Sequence, residues 1–401
     1  MISLSATQSF FACCLVLVLG RLLTSKVRFL SRYSIPDPIV GGLLFALAAY
    51  AVSETAGVGL VLETSSQSIL LLLFFCCIGL TANLRLLAVG GPRLMAFLLV
   101  LAPFVLLQNV VGLGMAWLLD LHPLMGLVGG SITLVGGHGT GAAYAARFAD
   151  VNNIQNIMAL AMTSATMGLV LGGIVGGPVA EWLIKRHQLV SGNAAAPGTG
   201  APTANQPAPD PVDTGTIIVS LAAAFGSLVA GVWLASLVEG APVSLPNFLW
   251  CLLVGIIIRN AGPALGLHLN DKATDIIGAL SLSLFLGFTM MTLDIGSVVQ
   301  LAGPLAVILL AQVVFVIIYV IVVVFRALKK DYEAAIMSAA FCGFSMGATA
   351  TAIANMQALT DRHGPAPQAF IVVPVTGAFL VDIMNVVILT TLISLPFVGG
   401  L

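Results

Sequence analysis

The sequence predicts an all-α, polytopic membrane protein, and three observations support that prediction. The 401 residues are 59% hydrophobic and only 8% charged, whereas soluble domains are about 25% charged. Apolar runs of about 20 residues, the length at which a helix crosses a bilayer, recur along the whole chain. The net charge of −1 gives no indication of a nucleic-acid partner. The apolar runs and the low charged fraction predict that the chain is surrounded by the lipid bilayer.

Ten apolar runs are long enough to form spanning helices. They are expected near 5–23, 36–53, 67–84, 94–119, 155–184, 215–238, 246–262, 275–293, 304–326 and 368–396. Two further stretches, 124–148 and 333–362, are apolar but rich in Gly, Ala, Ser and Thr. The six cysteines lie in apolar runs without the spacing of a disulfide framework or a metal site, which favours small core residues.

The basic residues predict that both glycine-rich stretches are re-entrant, which means that each enters and leaves the membrane on one side. With this topology and the N-terminus outside, fourteen of the fifteen Lys and Arg residues face the cytoplasm, and only Arg147 does not. A full crossing by either stretch alone would invert every later loop and remove this bias, which is a strong rule in membrane proteins. Both termini are therefore predicted outside.

A segment rich in Pro, Gly and Ala, 186–214, is predicted to be a flexible cytoplasmic linker between two similar halves. The predicted repeats are 1–185, with the re-entrant loop 124–148, and 215–401, with the re-entrant loop 333–362. Five local matches recur in the same order, among them Gln108 with Gln312. Because each half holds five spans, the second is inserted upside down, and this inverted-topology plan is typical of secondary transporters.

The glycine-rich stretches are the predicted substrate site, because irregular backbone at membrane depth is tolerated where it lines a cavity. Helix N-termini exposed there would favour a carboxylate. Tight helix packing through small residues is the alternative interpretation. The predicted substrate-binding residues are glycines, short polar side chains and one acid: Ser131, Thr133, Gly136, Gly137, His138, Gly139, Thr140, Gly141, Thr163, Gly343, Ser345, Gly347, Thr349, Thr351, Asn355 and Asp382.

Asp382 is the one acid deep within a predicted span. A charge at that depth is costly and by default indicates a function. Asn385 follows one helical turn later on the same face, so Asp382 and Asn385 are predicted to bind Na⁺, or Asp382 to face a substrate ammonium. The alternative is a protonated aspartic acid capped by a neighbour. The corresponding span of the first half, at 168–178, carries no acid, which predicts that the two repeats differ in function.

Four segments make the chain similar to a known family: YSIPDPIVGGLL (33–44), SITLVGGHGTGAA (131–143), GFSMGATATAIANMQA (343–358) and VVPVTGAFLVDIMN (372–385). They resemble the bacterial glutamate:sodium symporter family, over nearly the whole chain outside the linker. The resemblance implies uptake of L-glutamate with Na⁺ as the coupling ion and no other cofactor. It also implies two inverted five-helix domains with re-entrant loops, a homodimer and an inner-membrane location. The opposite entry sides of the two glycine-rich stretches predict alternating access of an elevator-like kind, in which one half-bundle that carries both stretches moves as a rigid body. The chain departs from the family pattern at Ala350, where a proline is expected.

Other classes of function fit the residues less well. A channel usually builds its filter from repeated subunits around one axis, whereas two unlike segments that enter from opposite faces favour alternating access. An enzyme is not expected, because the chain has one deep acid, no H-E-x-x-H and no Ser–His arrangement. A Na⁺ or H⁺ symporter of another small carboxylate, such as a 2-hydroxycarboxylate, stays open on the residues alone.

Overall fold

The structure is a computed structural model, which describes residues 2–28, 30, 35–152, 154, 157–191, 211–238, 246–293, 295–395 and 398. Most of the predicted linker 186–214 and the first two residues of segment 33–44 lie outside the described residues. Ile2–Ser3 (β1) pairs in parallel with Leu60–Val61 (β2). The other regular elements of the described chain are helices, which confirms the all-α prediction.

The first half contains α1 (Ala6–Lys26), α2 (Asp37–Ala56), α3 (Gln67–Thr81), α4 (Leu86–Leu118), α5 (Pro123–Leu127), α6 (Gly137–Asn152) and α7 (Ile157–His187). The second half contains α8 (Thr214–Leu237), α9 (Asn247–Ala261), α10 (Asp271–Met291), α11 (Ile295–Tyr319), α12 (Phe325–Ala327), α13 (Tyr332–Met346), α14 (Thr349–His363), α15 (Ala369–Val375) and α16 (Val381–Ile393). Wider π-helical turns cover Val128–Ile132, Val320–Val324 and Thr376–Leu380, and Gly262–Leu265 forms a 3₁₀ turn.

Eight helices of the described chain are long and apolar enough to cross a membrane, four in each half. They are Ala6–Lys26, Asp37–Ala56, Gly91–Leu118, Ile157–His187, Thr214–Leu237, Asn247–Ala264, Asp271–Met291 and Ala302–Ala327. Two predicted spans differ from this pattern although they are helical. The run at 67–84 yields only the 15-residue α3, and the run at 368–396 is interrupted by the π-turn Thr376–Leu380. The chain is a multi-pass membrane protein.

The chain divides into two compact units. Unit 1 consists of Met1–Asn83, Ala145–Leu160 and Val212–Gly303, and unit 2 consists of Leu84–Tyr144, Ala161–Pro211 and Pro304–Leu401. Each unit therefore takes helices from both halves of the sequence. The repeat boundaries at 185 and 215 stay a prediction. Units 1 and 2 have other boundaries than the predicted repeats.

Unit 1 is packed through small residues. Gly79 of α3 lies directly against the carbonyl of Leu252 in α9, and Gly42 of α2 lies against Met290 of α10, so neither glycine has room for a Cβ atom. Such close approach is how membrane helices gain packing contacts. Of the six cysteines, which are free thiols, five are buried as predicted and Cys14 is exposed.

Unit 2 has an aromatic core that positions α13. Phe104 of α4 stacks on Phe315 of α11 with ring centroids 5.2 Å apart, and it meets Phe341 of α13 edge-on at 5.0 Å. Tyr319 donates a hydrogen bond of 2.8 Å from its hydroxyl to the carbonyl of Val100. Because aromatic pairs add to the energy of area burial, this core holds α4, α11 and α13 as one group.

Candidate functional site

Residues 123–144, called here the first broken segment, contain two interruptions of the helical backbone. Gly130, within the π-turn, has φ −106° and ψ −135°. Gly137, the first residue of α6, has φ +66°, a value that glycine adopts without the steric cost of a Cβ atom. The predicted run Gly136–Gly141 therefore marks the second interruption, and the first lies a few residues earlier.

Ser131 is held by two asparagines at the first interruption. Its amide N–H donates to Asn109 Oδ1 at 3.1 Å, and its hydroxyl accepts from Asn109 Nδ2 at 2.8 Å. The same hydroxyl donates to Asn385 Oδ1 at 2.6 Å, and the Ser131 carbonyl accepts from Asn385 Nδ2 at 3.0 Å. All three side chains are fully buried. The backbone freed by the break thus regains its partners from α4 and α16, as a buried polar group requires.

Two polar pairs connect the first broken segment to α7. Thr133 shares a 2.7 Å hydrogen bond with Ser164 and donates to the carbonyl of Val128 at 2.6 Å. His138 Nε2 lies 3.0 Å from Thr166 Oγ1. Thr163, which the sequence analysis selected, is half-buried and makes no such contact within the described chain. The helix turns Ser164 and Thr166 toward the segment.

Residues 332–363, called here the second broken segment, reverse direction at Gly347 and Ala348. Ala348 has extended backbone, with φ −161° and ψ 167°, whereas Gly347 has φ −156° and ψ −91°. A Cβ built on Gly343 would lie 2.6 Å from the Cα of Ala352, so glycine is needed where α13 and α14 approach one another. Helix α14 begins without a side-chain cap. Its first backbone bond to the turn is Ala352 N–H to Ala348 O at 3.1 Å, which leaves the preceding N–H groups without an intrahelical acceptor.

The polar side chains near the turn of the second broken segment have few partners outside their own helix. Ser345 donates from its hydroxyl only to its own helix, at Phe341 O, and Thr349 reaches Gly377 O at 3.3 Å. Thr351 Oγ1 is buried without a hydrogen-bond partner in the described chain. Asn355 donates to Gly172 O in α7 at 3.0 Å, so this amide fastens the far part of the segment.

The tips of the two broken segments meet within unit 2. A Cβ built on Gly137 would lie 3.8 Å from the carbonyl oxygen of Gly347. Gly168 of α7 lies so close to the carbonyl of Met346 that a side chain there is excluded. The predicted convergence of the two glycine-rich stretches is therefore present, with α7 beside it.

Two glutamines form crossed supports. Gln108, in the first half, donates from Nε2 to Ser345 O in the second broken segment at 2.8 Å. Gln312, in the second half, donates to Gln108 O at 3.0 Å and to Gly129 O in the first broken segment at 3.4 Å. Both side chains are fully buried, and both Oε1 atoms lack a partner in the described chain.

Asp382 lies on α16 between two contact points with the broken segments. Gly377, one turn and a half earlier, is packed against Thr349 and Phe344, and Asn385, one turn later, binds Ser131. The Asp382 side chain is half-buried and accepts no hydrogen bond from the described residues. Asn385 Oδ1 retains a second lone pair, so the donor set of the predicted Na⁺ pair is present in part.

Sequence reasoning missed three residues of this site. Asn109 gave no signal of its own, since an asparagine in a long apolar helix is common to many membrane proteins. Gln108 and Gln312 did give one, because they recur at matching places in the two halves, but that match served only to align the repeats. The occurrence of a glutamine deep in each half was therefore a signal that could have predicted the hydrogen bonds of Gln108 and Gln312.

Comparison with known proteins identifies the family. The family model described as "Sodium/glutamate symporter" matches residues 2–365. A protein of Escherichia coli (strain K12) named sodium/glutamate symporter is 41% identical over 403 residues, covering all of both chains. A protein of the same name from Haemophilus influenzae is 38% identical over 378 residues, 94% of each chain. These relatives are named as transporters and not as enzymes. On the matched family model and on these full-length identities, the chain belongs to the sodium/glutamate symporter family.

Proposed function

We propose that the chain is a secondary active transporter that takes up L-glutamate together with Na⁺. The observation that supports this most directly is the meeting of the two broken segments beside groups that lack partners. The N-terminal N–H groups of α14 and the hydroxyl of Thr351 lie in one segment, and Asp382 lies between the contacts to both. Both of these relatives carry glutamate in their names, so a 2-hydroxycarboxylate is not favoured.

The unpartnered groups match the chemistry of an amino dicarboxylate. Helix N-termini attract carboxylates through their N–H groups and dipole, and α14 presents such an end at Thr349–Thr351. The carboxylate of Asp382 suits either the substrate ammonium or Na⁺, with Asn385 Oδ1 as a neighbouring oxygen. Hydrogen bonds to charged groups are worth about 1.5–3 kcal/mol each, so a few of them account for selective binding.

Sodium coupling follows from the charge of the cargo. Glutamate carries one net negative charge near neutral pH, and moving it into a negative interior costs about 2.3 kcal/mol per 100 mV. Co-transport of at least two Na⁺ ions reverses the sign of the moved charge. An inside-negative potential then drives uptake instead of opposing it.

The conformational change is proposed to be elevator-like. Unit 2 contains both broken segments, α7 from Ala161 onward, α16 and the crossed glutamines, so these parts are expected to travel as one body during alternating access. The broken segments are proposed to be re-entrant and to belong to inverted repeats. We further propose a homodimer in the bacterial inner membrane, with both termini outside and the linker cytoplasmic.

Uptake by proteoliposomes tests the proposal. Labelled L-glutamate should accumulate with an inward Na⁺ gradient, faster when the interior is negative, and not when choline or K⁺ replaces Na⁺. Excess unlabelled malate or citrate should not reduce the initial rate, whereas unlabelled glutamate should. Equal uptake in choline would reject the sodium coupling, and full competition by malate would reassign the substrate to the hydroxycarboxylates.

A further inference from the structure

A cavity of about 270 Å³ lies within unit 2, between the last turns of α7 and the region of α12. It is called here the basic pocket, and none of its lining residues belongs to either broken segment. Its lining combines cations with large apolar surfaces: Trp182, Arg186, His187, Phe325, Arg326 and Lys330.

The basic pocket has an uncompensated positive charge. Arg186, Arg326 and Lys330 are exposed, and none of them forms a salt bridge with the described residues. The neighbouring Lys185, in contrast, pairs with Glu181 at 3.0 Å and does not line the cavity. The described residues that line the pocket include no Asp or Glu. Three cations without a partner around one cavity are suited to an anion with several oxygen atoms.

The turn that carries Lys330 is unusual in its backbone. Lys329 and Lys330 have φ +79° and +55°, a region that residues with a Cβ atom seldom occupy. Such conformations persist where the surrounding structure requires them, and they cluster at ligand sites and other functional places. Here the turn brings Lys330 to the pocket that Arg326, on the preceding helix, also lines.

The apolar side of the basic pocket distinguishes a lipid from a free phosphate. The His187 ring packs on Phe325 with centroids 5.0 Å apart, and Trp182 is 48% exposed. Trp182 lies five residues before His187, roughly 8 Å along the helix axis, on the membrane side of the cations. A free phosphate would use only the cations, whereas a phospholipid would also cover the tryptophan. Tryptophan at this level is typical of membrane interfaces.

We propose that the basic pocket binds the headgroup of an anionic phospholipid. The phosphodiester contacts Arg186, Arg326 and Lys330, and one acyl chain lies along Trp182. Both helices that form the pocket are membrane spans, Ile157–His187 and Ala302–Ala327, and their basic ends are predicted to be cytoplasmic. Basic pockets between spanning helices at that face are the usual sites for anionic headgroups.

Quenching of Trp182 by brominated lipid tests the proposal in the full-length protein. The protein is reconstituted in nanodiscs of phosphatidylcholine that contain a small fraction of phosphatidylglycerol or of phosphatidylcholine, each brominated on the acyl chain near the headgroup. The signal of Trp182 is the difference between the wild type and Trp182→Phe. Phosphatidylglycerol should quench it at least about threefold more than phosphatidylcholine at equal mole fraction, since charge-assisted hydrogen bonds hold only the anionic headgroup in the pocket.

Matched variants assign the effect to the pocket. The triple variant Arg186→Gln, Arg326→Gln, Lys330→Gln should reduce the preference to the phosphatidylcholine level, and single variants should reduce it partly. The double variant Lys185→Gln, Lys329→Gln changes adjacent lysines that do not line the cavity, and it should keep the preference. Equal loss in both sets would mean diffuse surface charge and overturn the proposal. Loss of the preference on adding millimolar inorganic phosphate would reassign the pocket to a free anion.

Discussion

Both broken segments interrupt a helical path at glycine, and they differ in how their polar groups are paired. In the first, Ser131 is bonded through N–H, carbonyl and hydroxyl, and Thr133 and His138 each have a partner on α7. In the second, Thr351 has no partner in the described chain, and the start of α14 has no cap. Unpaired buried polar groups are costly, and each requires an explanation such as a bound water, an ion or a functional role.

This difference implies that two similar repeats need not contribute equally to substrate binding. We expect the first segment to act as a fixed wall at Ser131, because asparagines from α4 and α16 occupy the hydrogen-bonding groups of that residue. The second segment keeps spare donors at a helix N-terminus, so it is expected to make most of the contacts to a carboxylate. Asp382 adds to the asymmetry, because it follows the second segment in the chain and the corresponding first-half helix, α7, has no acid in 168–178.

The largest expected effect comes from Asp382→Asn. Removing the charge at nearly constant volume should lower the initial rate of Na⁺-driven glutamate uptake about 100-fold, since loss of one charged interaction of about 1.5–3 kcal/mol corresponds to factors of this order. Asp275→Asn, in α10 of unit 1, is the control and should transport normally. If Asp382→Asn transported at the wild-type rate with a normal elution profile, the asymmetry between the repeats would lose its functional meaning.

A threonine pair compares the two segments directly. Thr351→Val should raise the KM for glutamate about tenfold at unchanged thermal stability, because its hydroxyl has no protein partner to lose and is worth about 1.4 kcal/mol to a bound anion. Thr133→Val should do the reverse. It leaves Ser164 and the Val128 carbonyl without their bond, so the free energy of unfolding should fall by about 1–3 kcal/mol with little change in KM. If Thr133→Val instead raised the KM and Thr351→Val lowered the free energy of unfolding, the first segment would be the one that contacts the ligand, and our assignment would be reversed.

The crossed glutamines predict a smaller difference. Gln312→Met removes two donated bonds and Gln108→Met removes one, while neither loses a partner at Oε1. Gln312→Met should therefore lower the free energy of unfolding more, by about 1 kcal/mol. Denaturant midpoints in detergent measure this. An equal loss in both variants would indicate that the two supports are equivalent and that the first segment is not the more firmly held.

The smallest expected effect is at Thr163. Because its side chain makes no hydrogen bond to either segment within the described chain, Thr163→Val should change uptake less than twofold, as expected for a substitution that breaks no buried polar contact. Thr166→Val, three residues on, removes the partner of His138 and should have the larger effect on uptake. A strong loss in Thr163→Val would mean that α7 presents a different face to the substrate.

The sequence predicted the parts of this fold that depend on composition and local pattern. Eight of the ten long apolar runs form helices that are long enough to span a membrane. The run Gly136–Gly141 marked a break that the structure contains, because chain reversal and close approach need glycine. The break at Gly130 was not predicted, since it depends on Asn109 and Asn385 from distant helices. The sequence led to Thr163 as a site residue, whereas the structure turns Ser164 and Thr166 toward the first broken segment. This difference could not be predicted, because packing decides how a helix is rotated about its axis. The short α3 ends where Thr81 bonds back to Cys77 and Ile78, which apolar length does not reveal.

The crossed supports have a consequence for the order in which the protein is made. The carbonyl of Gly129 accepts a hydrogen bond from a residue 183 positions later, and the carbonyl of Ser131 accepts one from a residue 254 positions later. At synthesis rates of about 5–20 residues per second, the first of these partners emerges roughly 10–40 s after the segment that needs it. Throughout that interval the carbonyl of Gly129 lacks the hydrogen bond that Gln312 donates in the finished protein. The first half therefore enters the membrane before its broken segment has all of its hydrogen-bond partners, and the second half supplies the missing ones.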